Sequence, residues 1–288
     1  MATSNSSKNV VKSAQAPAEN EPKWEPRPED RAQANKLRIF AIVCWVLAIA
    51  LECVVIFGLL FKNAVSVNSG DDYVSVYPFL WMNLSQNALF VWCIVLIVIC
   101  GVLAIIGSQL WKKANRLDPA SVKQPVRFFV QNQLGAIISA IAFIPLVILV
   151  LLSKNLQGVQ KGVVTGVAVV VLGASVAAGV TTNSPSQEQY NTESSFVVAQ
   201  NGTDVVYWVK GGSTYHLCQD STDLSRPSKD NQIYSGTVGQ AHGAGMSRLA
   251  LRNECGYDNS KGQSLSWTPS GTAPTNPADT TEPTDTPS

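Results

Sequence analysis

The chain has 288 residues, 46% of them hydrophobic and 14% charged, with a formal net charge of +1. That balance is too apolar for a soluble protein with long polar ends, and no basic stripe with interleaved aromatics points to nucleic acid. There is no G-x-S-x-G, Walker A loop or H-E-x-x-H, and two histidines leave few options for acid–base work, so the sequence reads as non-enzymatic.

Residues 1–35 are polar, contain proline and lack helical periodicity, which predicts disorder. Four apolar blocks follow, at 39–61, 89–110, 134–152 and 163–180, within a transmembrane region of 36–182. At about 1.5 Å per residue each block crosses a hydrocarbon core of about 30 Å as a helix. The first begins too far into the chain for a cleaved signal peptide. The fold class expected is therefore a membrane all-α helical bundle of about four transmembrane helices, followed by a small α+β C-terminal domain. The fourth block is built of Val, Ala and Gly, and its Gly166, Gly173, Ala177 and Gly179 suit close helix contact.

Within the blocks, Glu52 stands out, because an ionised carboxylate inside a span is costly and marks function by default. It reads as a proton or ion relay, or as a protonated or hydrogen-bonded packing device. Cys44, Cys53, Cys93 and Cys100 read as small apolar packers. Gln131, Asn132 and Gln133 lie where the third span begins, at headgroup level or lining a polar cavity. Among Trp45, Trp81, Trp92 and Trp111, the last is the expected interfacial anchor, beside Lys112 and Lys113. Pro145 is expected to kink the third span without breaking it.

Basic residues set the orientation. Lys8, Lys12, Lys23, Arg27, Arg31, Lys36 and Arg38 precede the first span, and Lys112, Lys113, Arg116, Lys123 and Arg127 lie between the second and third. The first inter-span loop has only Lys62, beside Asp71 and Asp72. The N-terminus and second loop are thus expected in the cytoplasm, and four crossings return the C-terminal domain there. Lys154 and Lys161 near the third loop pull the other way, as does the Thr/Pro/Ser-rich tail at 259–288, which has the bias of an extracellular stalk.

A linker is expected at 183–200 and the small domain at 201–258. "DVVYWVK" (Asp204 to Lys210) and "STYHL" read as strands joined at Gly211 and Gly212. "TVGQAHGAGM" reads as a short helix capped by Thr237 with Gln240 completing a capping box. A domain this small gains from a staple. Cys218 and Cys255 can form a disulfide in an oxidising compartment. His216, Cys218, His242 and Cys255 have an acceptable ligand list for a metal. The plain alternative is two buried thiols and a surface histidine.

The stretch "LWKKANRLDPASVKQPVRFFVQNQLGAIISAIAFIPL" (Leu110 to Leu146), with "NKLRIFAIVCWVLAIALE" before it and "KNLQGVQKGV" after, resembles a family of uncharacterised bacterial multi-pass membrane proteins. That family pairs such a bundle with a small domain of the form "VYWT-SGK-YHL---C--L … GT--EA---G … C--C". The resemblance covers most of residues 35–257 and implies the same architecture without an established activity. The chain departs from it at Ser221, Ala250 and Asn253, where the family pattern has cysteines, so a thiolate zinc site lacks three of its ligands.

The expected role is an integral membrane protein displaying a sensing or binding domain at the membrane surface. The alternative is a transporter component or ion/proton pathway using Glu52; a metal-binding C-terminal module comes third. The partners implied are the lipid bilayer and another envelope protein, or a second copy through the small-residue helix faces. No cofactor is implied.

Overall fold

A computed structural model of the chain describes residues 24–69 and 72–250. The chain divides into two compact units: one covers Pro26–Ser186, and the other includes Trp24 and the chain from Gln187 onward.

In the first unit, helix α1 (Pro28–Cys53) continues as π-helical turns over Val54–Leu60. A three-stranded antiparallel hairpin sheet follows, β1 (Val65–Ser69), β2 (Asp72–Phe79) and β3 (Met82–Leu84), then helices α2 (Gln86–Leu117), α3 (Pro125–Leu152) and α4 (Gly158–Gly179). Among the described residues, four helices, the first taken through to Leu60, are long and apolar enough to cross a membrane. The chain thus has the composition of a multi-pass membrane protein.

The helices outrun the apolar blocks read from the sequence. α1 begins at Pro28, inside the segment expected to be disordered, because proline suits the first helical position and Glu29 and Asp30 favour the positive end of the helix dipole. At about 1.5 Å per residue, the 32 residues of α2 span about 48 Å, well beyond a hydrocarbon core. The surplus of both helices packs together: Ala34 and Leu37 meet Ala114 and Leu117.

Polar side chains lock both ends of the bundle. At one end, Arg38 donates to the Asp118 carboxylate at 2.7 Å and to its backbone carbonyl at 2.9 Å. Gln131 donates to the same carbonyl at 3.0 Å. Trp111 and Asn115 donate to the Gln131 carbonyl at 2.7 and 2.6 Å, and Arg38 lies over the Trp111 ring at 5.9 Å. Trp111, expected as an interfacial anchor, ties α2 to α3 through its indole N–H, which donates to a carbonyl within the bundle. Gln131 and Gln133 likewise serve helix ends, the latter donating to Thr181 at 2.9 Å. At the other end, Ser153 donates to Leu60 at 3.0 Å and Asn155 to Leu59 at 2.8 Å. These bonds satisfy carbonyls that the last turn of the first span leaves without partners.

The core of the bundle runs from Val55, Leu59 and Leu60 through Leu89, Cys93, Ile97 and Cys100 to Phe143, Leu146 and Val164. α3 runs unbroken through Pro145. Of the small residues in α4, Gly179 makes the close contact: a Cβ there would meet the backbone of Gly135 and Ala136. Gly166 and Gly173 face open space.

Candidate functional site

The second unit is a small α+β module. Helix α5 (Gln187–Asn201) opens it, followed by β4 (Val206–Val209), β5 (Thr214–Tyr215), β6 (Ile233–Gly236), α6 (Val238–Gly243) and β7 (Arg248–Leu249). β4 pairs antiparallel with β6, and β5 runs parallel to β7. The Tyr207–His216 bridge links β4 to the end of β5 across the turn at Gly211, whose φ of +89° suits glycine. Thr237 and Gln240 form the expected capping box.

Helix α5 occupies the stretch where the sequence reading placed a linker. Its inward face carries Tyr190, Glu193 and Val197, three and then four residues apart, as one helix face requires. The carboxylate in the middle of that face is what hid it from a search for apolar periodicity.

Glu193 is the centre of the module's polar core, 8% exposed. Its Oε2 accepts from Tyr215 Oη at 3.0 Å and from His242 Nε2 at 2.5 Å, while Oε1 accepts from Gln189 at 2.9 Å. Since a carboxylate only accepts, Nε2 of His242 carries a proton. The His242 ring stacks on Tyr190, centroids 4.3 Å apart, and meets Tyr215 edge-on at 5.7 Å. Trp24 closes the stack, edge-on to Tyr190 at 5.0 Å. Burial, and then the carboxylate of Glu193, pushes the Tyr215 phenol well above its ordinary range, so it remains a donor. The cluster can hold and share a proton, but it is sealed: Tyr190 and Tyr215 are fully buried and His242 is 4% exposed.

The residues weighed as metal ligands are separately engaged. His216 is buried, not a surface histidine, and its Nδ1 lies 2.9 Å from Ser221 Oγ. This is the position where the resembled pattern has a cysteine. Cys218 is disulfide-bonded, which withdraws its sulfur from metal ligation. His242 is bound to Glu193. Cys255 lies outside the described residues. Among the described residues, no group of three or more His, Cys, Asp or Glu is placed to hold a metal ion.

A second polar centre lies in the first span. Glu52 is 4% exposed and its Oε1 has no hydrogen-bond partner. It sits one residue before the last of α1, at the junction with the π-helical turns, an irregularity that recurs at functional sites. One turn earlier, Cys100 of α2 donates to the Ala48 carbonyl at 3.5 Å, which fixes this stretch of α1 against α2. Cys44, Cys53, Cys93 and Cys100 are free thiols.

No family model, no curated protein and no solved structure matches the chain.

Proposed function

We propose that the protein is a non-enzymatic integral membrane protein whose four-helix bundle anchors a small α+β module that binds or senses a partner at the membrane surface. The observation that carries this reading is the module itself. It is a compact unit with its own apolar core around Val206, Tyr215, Leu217 and Val238, and its polar centre is enclosed rather than open to a substrate. Four crossings put the N-terminal segment and the module on one side of the membrane.

That side is the cytoplasm. The basic residues ahead of the first apolar block and between the second and third blocks, twelve in all, far outnumber Lys62, Lys154 and Lys161 at the opposite ends of the blocks. The disulfide at Cys218 argues for an oxidising compartment instead. We weight the charge asymmetry more heavily, because reversing it would place two basic clusters outside. In the cytoplasm the disulfide at Cys218 is redox-labile rather than a permanent staple.

The unpartnered Glu52 oxygen favours a second reading, an ion or proton pathway through the bundle. Proteoliposomes enclosing a pH-sensitive dye separate the two. On the leading reading, the wild type and Glu52→Gln show the same dye response to an imposed potassium diffusion potential as empty vesicles. Proton entry in the wild type that Glu52→Gln abolishes would establish the pathway instead.

A further inference from the structure

The hairpin between the first two spans ends in a turn that lies alongside the bundle. Phe79, the last residue of β2, is 5% exposed, and its ring comes within 3.1 Å of a Cβ placed on Gly58. The same ring stands 6.2 Å from that of Trp92, which is six residues, or about 9 Å of helix axis, inside the start of α2. Leu84 of β3 joins the same core as Leu59, Leu60, Leu89 and Cys93, with Met82 packed against it. The turn is therefore level with helical segments that face lipid.

The two central residues of that turn are largely exposed. Phe79 pairs with Met82 across it, leaving Leu80 at 70% and Trp81 at 85% exposure. On the first span, Phe57, next in sequence to Gly58, is 69% exposed. Leu80 has φ +51° at the first central position, where a two-residue hairpin turn ordinarily places glycine. A large apolar side chain has been put where the backbone least suits one. From Tyr73 to Trp111 the sequence contains no Asp, Glu, Lys, Arg or His, so neither the turn nor its neighbours carry a charge that would require water.

We propose that the Leu80–Trp81 turn is an interfacial anchor that inserts into the boundary between headgroups and acyl chains, its ligand being bilayer lipid. The exposed surface continues that of the spans, and an indole, with an apolar ring and one N–H, is suited to that depth. The turn's unpaired backbone groups stay within reach of headgroup water, which the hydrocarbon centre would deny them. The anchor ties the outward end of the first two spans to the membrane surface, a role expected from sequence for Trp111.

The inference rests on the four-span reading. The test uses the full chain in phosphatidylcholine vesicles whose acyl chains carry bromine either near the carbonyl or near the methyl end. The emission lost in Trp81→Phe reports Trp81 alone. We expect that emission to be quenched at least twofold by shallow bromine and less by deep bromine. Leu80→Gly, which suits the turn, should leave melting in detergent unchanged while reducing the quenching. A water-like, unquenched Trp81 in protein whose other tryptophans are quenched overturns the anchor and leaves the bundle standing. The same result accompanied by cross-linking of Leu80→Cys between two chains overturns it in favour of a second copy. If Trp92 too escapes quenching, the four-span reading itself has failed.

Discussion

Replacing Glu193 by alanine is expected to unfold the module while leaving the helices in the membrane. The substitution strands the Tyr215 hydroxyl and the His242 Nε2 proton without their shared acceptor, in a core where both rings are buried. Each buried donor left without an acceptor costs about 1–3 kcal/mol, and two together are comparable with the total stability that a core of this size supplies, about 3–5 kcal/mol. Glu193→Gln, which keeps one acceptor oxygen, is expected to lose less. Amide hydrogen exchange reads both, with protection lost across α5, β4, β5 and α6 and retained in α2 and α3. Protection in the module that survives Glu193→Ala would show that the apolar core alone holds it. The same site gives a pH dependence with a definite sign. Because the folded Tyr215 phenol titrates well above its ordinary value of about 10, its contribution is complete below that pH. It is lost as the pH rises toward the folded value.

Replacing Gly179 by leucine is expected to separate α3 from α4. Even a single Cβ at Gly179 would press on the backbone nitrogen of Ala136 and lie 2.5 Å from the carbonyl carbon of Gly135, atoms that cannot turn aside. Overpacking of this kind costs about 1–3 kcal/mol for an added methyl or two, and an isobutyl group exceeds it. Gly173→Leu, six residues earlier on the same helix and facing open space, is the matched control and should melt like the wild type. A thermal melt of the purified protein in detergent compares them. Equal melting of the two variants would show that α3 and α4 are not held by this contact.

The four long apolar helices were legible because a membrane-crossing segment must meet a length and a composition at once, and both can be read directly from the residues. Their extensions were not, since Ala34, Leu37, Ala114 and Leu117 look polar-flanked until the two helices are placed side by side. In the module, the strands flanking Gly211 and the Thr237 cap declared themselves through turn and capping chemistry, which is local. Helix α5 did not, because Glu193 occupies the middle of its buried face, and a charge there becomes legible only once Tyr215 and His242 are brought to it from other elements. His242 was singled out as a metal-ligand candidate. Its residue type suggested a metal ligand, whereas the fold gives it a carboxylate and a tyrosine stack. Glu52 needed no fold to be singled out, but its unpartnered oxygen did.

The most direct test of the account is the sidedness of two exposed serines, Ser75 in the hairpin and Ser247 in the module. Each is replaced singly by cysteine and treated in intact cells with a membrane-impermeant maleimide. Four crossings with a cytoplasmic module predict labelling of Ser75→Cys in intact cells and of Ser247→Cys only after the membrane is opened. Labelling of Ser247→Cys in intact cells would contradict the account: together with Ser75→Cys it would mean that one helix does not cross, and alone it would mean that the protein is inserted the other way round.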